Sequence, residues 1–208
     1  MKVKNKIKIL SVALSFLFLG LHSFSYAQSL SFHVKGGRAF PKEESIKSGT
    51  ETGFGFSYLI DKKISISFDF SYWKSEVIQE PQRLYDGKLS ITPFLVSLEY
   101  SLLREAAVIP YVFAGGGIVF SSFEMDDIIT IPEITISQKI ENGITFHCGT
   151  GGRIKLMSNL ALLGEIIYIY READGETTIT DLNFGVTTEN FSIDMSSFIF
   201  RVGVKYYL

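Results

Sequence analysis

The sequence predicts an all-β fold, an eight-stranded antiparallel up-and-down transmembrane β-barrel with short periplasmic turns and long extracellular loops. Three observations predict it. A secretory leader precedes the mature chain. Eight later segments alternate apolar and polar residues with the period of two that a strand has. Short turns alternate with long polar connections, as in outer-membrane barrels. We therefore expect a signal peptide over residues 1–27 and one barrel domain over residues 28–208.

The first 27 residues have the parts of a signal peptide. Four lysines, the last of them Lys8, form a positive region, and an apolar stretch from Ile9 to Leu21 follows. Ser25 and Ala27 are small residues at the −3 and −1 positions of a cleavage site. The apolar stretch is too short to span a bilayer comfortably as an anchor helix. We therefore expect export to the cell outer membrane, with cleavage after Ala27.

Removal of the leader makes the chain more acidic. The full sequence has 20 basic and 22 acidic residues, and the leader contains four lysines and no acidic residue. The mature chain therefore has 16 basic and 22 acidic residues, a formal net charge of −6. This charge weighs against nucleic acid as a partner, because nucleic-acid binding calls for a basic surface. Cys148 is the single cysteine, so no internal disulfide can form; it falls on the lipid-facing side of its strand.

Eight segments fit the strand pattern, and the clearest is Ile64–Trp73. In that segment Phe68 lies on the apolar side and Asp69 on the polar side. The full set is Leu30–Gly37, Gly53–Ile60, Ile64–Trp73, Leu89–Leu102, Tyr111–Phe120, Ile144–Leu156, Leu160–Tyr170 and Ile193–Leu208. Hydropathy alone also allows a membrane helix over Ala106–Phe123, which has no charged residue. Pro110 and three successive glycines favour a strand there.

The connections fall into two classes. The short ones are Asp61–Lys63, Leu103–Pro110 and Met157–Asn159. The long ones are Pro41–Thr52, Lys74–Lys88, Ser121–Gly143 and Arg171–Ser192. In an outer-membrane barrel the long connections are extracellular loops.

Two barrels fit these amphipathic strands. In a soluble, lipocalin-like barrel the apolar residues line a pocket; in a membrane barrel they face lipid and the polar residues fill the lumen. The polar sides are rich in Gly and Ser with isolated charges, which favours a tight lumen. Tyrosines near the strand ends favour a membrane interface. They are Tyr72, Tyr100, Tyr111, Tyr168, Tyr170 and Tyr206.

The last strand carries alternate apolar residues: Phe200, Val202, Val204, Tyr206 and Leu208. With the PYVFAGGG stretch at Pro110–Gly117, this pattern resembles the small outer-membrane barrels of the OmpA transmembrane-domain and OmpX type. The resemblance covers nearly the whole mature chain. It implies that the barrel-assembly machinery reads the final strand as an assembly signal, although Leu208 stands where those families usually have Phe.

The polar sides place eight charged residues in the predicted lumen: Lys35, Asp69, Glu99, Arg153, Lys155, Glu165, Arg201 and Lys205. Buried charges must pair or stay hydrated, so we expect a salt-bridge network that plugs and stiffens the barrel. A gate or narrow ion path is the alternative. Eight strands leave too little bore for a wide porin.

His33 and His147 also point into the predicted lumen, where we expect each to bond a neighbouring carboxylate. Neither shows the nucleophile and orienting acid that catalysis needs.

Acidic residues are concentrated in the long connections: Glu124, Asp126, Asp127, Glu172, Asp174, Glu176, Asp181 and Glu189. We expect them to be solvated, with weak divalent-cation or partner binding as the alternative. Asp126 and Asp127 lack the spacing of an EF-hand.

These observations predict a non-enzymatic, monomeric barrel with a plugged polar lumen, acting as a structural or surface-recognition protein through its loops. Its expected partners are outer-membrane lipid, the assembly machinery and an extracellular ligand of unknown type. We predict no cofactor, metal site or catalytic residue. The alternatives are a narrow ion or small-solute channel, a lipid-modifying barrel enzyme, and a soluble lipocalin-like ligand-binding barrel.

Overall fold

The computed structural model of the protein describes residues 30–78, 86–103, 106–125, 134–181 and 183–208. The predicted signal peptide lies outside these residues. Eleven β-strands are present among them. No helix in these ranges has the length and hydropathy needed to cross a membrane. The uncharged run around Pro110 is part of a strand, so the alternative of a membrane helix there is wrong.

Eight strands form a closed antiparallel barrel, which confirms the predicted fold class. They are β1 (Leu30–Pro41), β2 (Gly49–Asp61), β3 (Ile64–Val77), β4 (Gly87–Ser101), β5 (Val108–Met125), β7 (Gly143–Lys155), β8 (Leu160–Tyr170) and β11 (Ser197–Tyr207). The barrel closes where β1 pairs with β11. The three other strands form a second sheet in the order β10–β9–β6: β6 (Ile134–Ile140), β9 (Glu172–Asp181) and β10 (Gly185–Asp194).

The predicted strand limits were too short at the end of the barrel that carries the long connections. β5 continues past Phe120 to Met125, and β3 continues past Trp73 to Val77. Two long connections were predicted as loops but contain β6, β9 and β10, so that prediction was wrong. A strand segment that lies outside a bilayer does not need an apolar side. Its backbone can still pair with a neighbouring strand, so the alternation of apolar and polar residues does not reveal it.

The predicted last strand, Ile193–Leu208, is two strands. Ile193 and Asp194 end β10, and β11 begins at Ser197. At the break, the Asp194 Oδ1 accepts a hydrogen bond of 3.0 Å from the Ser196 backbone N–H. Such side-chain bonds to the backbone two residues on are typical of turns. The chain therefore turns between the second sheet and the barrel.

The two ends of the barrel differ. The short-turn end carries the β2–β3, β4–β5 and β7–β8 connections, together with Leu30 and Tyr207. The loop end carries the longer connections and the β10–β9–β6 sheet, which we call the loop-end sheet. Its strands β9 and β10 lead directly from β8 and into β11. The sheet therefore stands on the wall of the barrel.

Burial alternates along the barrel strands. In β3, Ser67, Asp69 and Ser71 are buried, whereas Phe70 is exposed on the outer surface. Val34 in the middle of β1 is 66% exposed. The outer wall is rich in such large apolar side chains, an arrangement suited to lipid and the reverse of a lipocalin-like barrel. Further examples are Phe54, Phe94, Leu98, Ile118, Ile144, Phe146, Val202 and Val204.

Aromatic rings pack against one another on this outer wall. Phe56 and Phe68 stack with centroids 4.7 Å apart, and Tyr168 and Phe198 lie 4.8 Å apart. Cys148 is exposed on the same surface, directly opposite Tyr168 in the neighbouring strand. The thiol therefore faces outward, as its position in the alternation predicts.

The interior has two layers. Nearer the loop end, apolar side chains fill the barrel: Trp73, Ile91, Leu95, Ile167 and Ile199 are buried in one cluster. Nearer the short-turn end, the inward side chains are mainly serines and charged residues. Along β8 the change occurs between Glu165 and Ile167, and along β11 between Arg201 and Ile199. The charged layer is the first candidate site.

Candidate functional site

Arg201 is the centre of the charged layer. It lies directly opposite Glu165 in the neighbouring strand, and its Nε donates a 2.5 Å hydrogen bond to the Glu165 Oε2. On its other side, the Arg201 Nη1 lies 3.4 Å from the Glu51 Oε1. Arg201 therefore bridges acidic residues from two other strands.

Asp69 is the second acidic centre. Its Oδ1 lies 2.7 Å from the Lys35 Nζ and 3.0 Å from the His33 Nε2, and its Oδ2 accepts a 3.0 Å bond from the Ser67 hydroxyl. The Lys35 Nζ also lies 3.2 Å from the Glu165 Oε2. The buried carboxylates of Asp69 and Glu165 therefore share a cation as well as lying near Arg201.

Tyr111 completes the coordination of Glu165. Its hydroxyl donates a 2.7 Å hydrogen bond to the Glu165 Oε1. The prediction that Tyr111 lies at a membrane interface is wrong, since it is only 1% exposed inside the barrel. Gly151 lies between the two residues in the strand register. A Cβ there would lie 2.6 Å from the Tyr111 ring, so the glycine makes room for this contact.

Gly55 has the same role beside His33. It lies between His33 and Asp69 in the register of β1, β2 and β3. A Cβ on Gly55 would collide with the His33 ring. The missing side chain lets the imidazole lie across β2 and reach the Asp69 carboxylate.

A second charged group lies closer to the short-turn end. The Arg153 Nη2 lies 2.9 Å from the Glu99 Oε1 and donates a 2.5 Å bond to the Ser101 hydroxyl. The guanidinium also lies over the Tyr111 ring, 4.7 Å from its centroid. Lys155, two residues further along β7, is exposed at the mouth and lies outside the buried network that we predicted for it. It is near the strand end, where water reaches it.

Lys205 is buried but makes no ion pair with any described carboxylate. Its side chain is inward and the residue is 4% exposed. Its Nζ lies 5.9 Å from the centroid of the Tyr207 ring. Of the predicted lumen charges, the structure thus brings Lys35, Asp69, Glu165 and Arg201 into one network and pairs Glu99 with Arg153 separately.

The two histidines have different partners. His33 bonds Asp69, as expected. His147 instead lies 2.7 Å from the Ser97 hydroxyl through its Nε2, so the prediction of a carboxylate partner for it is wrong. Within the part of the chain that the structure describes, the His147 Nδ1 has no hydrogen-bond partner. No described acidic residue therefore orients the imidazole, as would be needed to make the serine a good nucleophile.

The charged layer leaves almost no open space. A cavity among Asp69, Ser97 and Arg201 has a volume of about 10 Å³. That is close to the minimum for one water molecule. The apolar layer lies above it towards the loop end.

Glu51 is the charged member of the network that the sequence analysis missed, as Tyr111 is the uncharged one. The predicted second strand began at Gly53, so Glu51 was left in a connection. The residue continues the inward positions of Gly53 and Gly55 and is buried in β2. Extending the alternation by one step would have found it.

Arg171 joins the loop-end sheet to the barrel. It is 2% exposed. Its Nη1 donates a 2.8 Å bond to the Ser121 hydroxyl, and its Nη2 donates a 2.5 Å bond to the Glu141 carbonyl. Its backbone N–H donates to the Ser196 hydroxyl at 3.1 Å. Arg171 therefore connects β5 with the chain segments that lead to β7, β9 and β11.

The loop-end sheet is acidic and exposed. Glu172, Asp174 and Glu176 alternate along one side of β9 and are all exposed. In the barrel below it, the Glu124 Oε2 lies 3.3 Å from the Nζ of the exposed Lys74. Asp126 and Asp127 lie outside the described residues. Within the described ranges, no group of three or more His, Cys, Asp or Glu residues is placed to hold a metal ion.

Comparison with known proteins supports the fold. No family model and no curated protein sequence matches the chain. The outer membrane protein OprG from Pseudomonas aeruginosa has a TM-score of 0.69 and 15% identity, covering 87% of this chain and 97% of that one. A major outer membrane protein from Thermus thermophilus has a TM-score of 0.59 and 14% identity, covering 88% and 100%.

The E. coli outer membrane protein W has a TM-score of 0.57 and 12% identity, covering 89% of this chain and 100% of that chain. At these identities the likeness concerns the fold. The chain has the fold of the small eight-stranded outer-membrane β-barrels.

Proposed function

We propose that this protein is a non-enzymatic outer-membrane barrel whose filled lumen stiffens a platform for surface recognition by the loop-end sheet. One observation carries the proposal: an exposed three-stranded sheet stands on a barrel whose charged layer encloses a cavity of only about 10 Å³. The apolar outer wall supports a location in lipid. By the usual arrangement of outer-membrane barrels, we place the loop end on the cell exterior and the short-turn end in the periplasm.

The packed interior supports a structural role for the barrel. The charged layer joins β1, β2, β3, β8 and β11 through buried ion pairs. A channel would need a continuous bore, which the two filled layers oppose. An enzyme would need an accessible reactive group, whereas Ser97 and His147 are buried together and no described acidic residue bonds the His147 Nδ1. These features favour a binding function over transport or catalysis.

The loop-end sheet supports a recognition role. β10 pairs with β9 along one edge, and no described strand pairs with its other edge. The first six residues of β10, from Gly185 to Asn190, are all exposed. At the tip of the hairpin, Phe184 is 93% exposed. An open strand edge with a large apolar side chain at its tip is suited to a protein partner.

The remaining partners follow from export. The signal peptide would be removed after Ala27, and the barrel-assembly machinery would read the outward residues of the last strand. Phe200, Val202, Val204 and Tyr206 face outward from β11, and Leu208 follows its end. We propose a monomer because the barrel closes within one chain.

The test removes the β9–β10 hairpin without disturbing the barrel. Glu172 and Asp194 are directly opposite each other, so residues 173–193 are replaced by Asn-Gly, which closes a two-residue turn. Cells displaying each protein are applied to arrays of immobilised polypeptides and polysaccharides. We expect retention on at least one surface with the full chain and none with the shortened one. Barrel folding is checked by heat-dependent gel mobility.

Conductance is measured on the same two proteins in planar bilayers. We expect no steady ionic current from either. Equal retention of both cell types on every surface would remove the recognition role, and a steady current through the full chain would favour the channel instead.

A further inference from the structure

The loop-end sheet has an open edge along β10. This strand pairs with β9 without a break, from Gly185 opposite Asp181 to Asp194 opposite Glu172. Within the described part of the chain, the backbone from Gly185 to Ile193 has no hydrogen-bond partner besides β9. In an edge strand every second residue points its N–H and C=O away from the neighbouring strand. β10 therefore presents a row of open donors and acceptors along its 10 residues.

This edge lacks the features that usually keep another strand from pairing. Edge strands are commonly protected by lysine, by proline or by a bulge. β10 contains no lysine, arginine or proline, and its register with β9 is continuous. The opposite edge of the sheet belongs to β6, which is shorter, at 7 residues, and carries Lys139. The edge of β10 is therefore the better suited of the two to an added strand.

The sheet beside this edge is acidic. Its three strands carry one basic residue, Lys139, and six acidic residues, a formal charge of −5. The acidic residues are Glu172, Asp174, Glu176, Asp181, Glu189 and Asp194. The Lys42 Nζ, from outside the sheet, lies 2.9 Å from the Asp194 Oδ2 and offsets that one charge. The sheet therefore favours a positively charged partner over a negatively charged one.

A hollow of about 430 Å³ lies over β9 and β10, next to the open edge. Asp174 and Glu176 of β9 line it. Ser192 and Asn190 are directly opposite them in β10 and line it too, and Glu141 lines it from beyond the end of β6. A strand added beside β10 would lie about 10 Å from β9, which is two strand spacings. A lysine or arginine side chain on that strand is long enough to reach across β10 to the two β9 carboxylates.

We propose that the open edge of β10 binds an extended polypeptide segment that carries basic residues at alternate positions. The segment adds a fourth strand to the loop-end sheet, and its backbone pairs with β10. Its basic side chains lie on the face that carries Asp174 and Glu176. This inference rests on the proposed recognition role and names the kind of partner that is recognised. Backbone pairing supplies the affinity, and the alternating charges select the segment.

The test uses the mature chain, isotope-labelled and refolded in micelles of an uncharged detergent. The probe is a capped synthetic peptide of 10 residues, the length of β10, in which lysine alternates with threonine. Amide hydrogen exchange is recorded as the peptide is added. We expect exchange to slow at alternate residues of β10, in proportion to the bound fraction, and to stay unchanged in β6. Absence of binding, or binding without slower exchange in β10, would overturn the proposal.

Two further peptides separate backbone pairing from charge. A peptide in which lysine alternates with proline keeps the charge but cannot complete a ladder of backbone hydrogen bonds. A peptide in which glutamate alternates with threonine keeps the backbone donors but reverses the charge. We expect neither to slow exchange in β10. If either slowed it as much as the lysine–threonine peptide does, the proposal would be overturned.

Matched double variants test the acidic side chains. Asp174→Asn with Glu176→Gln should weaken binding of the lysine–threonine peptide about threefold to tenfold, the scale of two exposed ion pairs. Glu43→Gln with Glu44→Gln removes two charges from the β1–β2 connection, outside the sheet, and should leave binding unchanged. Equal weakening by the two pairs of substitutions would show general attraction to an acidic protein and overturn the proposal.

Failure of this inference differs from failure of the recognition role. Hairpin-dependent retention of cells together with slower exchange in β10 supports both. Hairpin-dependent retention without any effect of the lysine–threonine peptide on β10 would overturn strand addition and keep the recognition role. Equal retention of cells with and without the hairpin, again with no effect of the peptide, would remove both.

Discussion

Arg201 and Glu165 face each other directly across β11 and β8, and the Arg201 Nε lies 2.5 Å from the Glu165 Oε2. Lys35 and Tyr111 reach the same carboxylate from β1 and β5. The Glu165 side chain therefore connects four strands inside the barrel, and neutralising it should weaken the contacts between all of them.

Glu165→Gln should destabilise the barrel strongly, because it leaves buried cations without their counter-charge. Loss of one partner of a buried ion pair costs about 3–5 kcal/mol. The matched change is Glu176→Gln, which neutralises an exposed acid of the loop-end sheet. Denaturant unfolding in lipid vesicles compares the two. Equal midpoints would show that the lumen pairs contribute little.

Gly151→Ala should displace the Tyr111 ring from Glu165. The added Cβ would lie 2.6 Å from that ring, and such overpacking costs about 1–3 kcal/mol. Gly164→Ala in the neighbouring strand is the control, since a Cβ there would have no atom of the described residues within 4 Å. Thermal unfolding of both variants tests the steric role of Gly151. A midpoint for Gly151→Ala no lower than that for Gly164→Ala would contradict it.

Val34→Arg tests which medium meets the outer wall. An arginine on the lipid face near the middle of the bilayer costs about 2–4 kcal/mol. Thr188→Arg places the same charge on an exposed residue of β10, outside the barrel, and should cost little. Unfolding in lipid vesicles measures both. A spin label at position 34 should also be relaxed by lipid-dissolved oxygen, and water accessibility there would mean that this wall does not face lipid.

Arg171→Ala should loosen the loop-end sheet while the barrel stays folded. It leaves the Ser121 hydroxyl and the Glu141 carbonyl without their donor, at about 1–3 kcal/mol. Amide hydrogen exchange should quicken in β6, β9 and β10 and stay unchanged in β3. The exposed Lys139→Ala in the same sheet is the control. Unchanged exchange in all three strands would show that Arg171 does not secure the sheet.

The junction of β10 and β11 should depend on pH through Asp194. Partial burial raises the pKa of this carboxyl, but hydrogen bonds from Ser196 and Lys42 outweigh that effect and hold it below its usual value of 3.8. A lowered pKa means that the stabilisation is present above the unfolded pKa and is lost as pH falls through the folded one. We expect the junction to loosen below about pH 4.

Amide exchange at Met195 and Ser196, recorded from pH 6 down to pH 2 and corrected for intrinsic rates, measures this effect. Asp194→Asn should remove the pH dependence, whereas Glu189→Gln in the same strand should keep it. A pH dependence that survives Asp194→Asn would assign the effect to another group.

The two sides of each barrel strand were predictable from the sequence because alternation is a local property. Phe70 and Ser71 face opposite media for the same reason that any neighbouring strand residues do. The turns at Asp61–Lys63 and Met157–Asn159 were also predictable from local sequence. Short turns join neighbouring antiparallel strands, so these turns indicated which strands are adjacent. The glycines and serines on the polar sides of the strands further indicated that the interior is narrow.

Tertiary structure decided which inward residues meet. Arg201 reaches Glu51, which is 150 positions away in the chain, across the intervening strand β1. The β1 residue that lies directly opposite both of them is Gly37, which has no side chain to block the contact. Tyr111 turns inward to Glu165 because Gly151 leaves space for its ring. Lys205 and Lys155 flank Ala161 through the same kind of register. These pairings depend on the register of neighbouring strands. That register is set by backbone hydrogen bonds between segments that are distant in the sequence, so it cannot be predicted from a local sequence pattern.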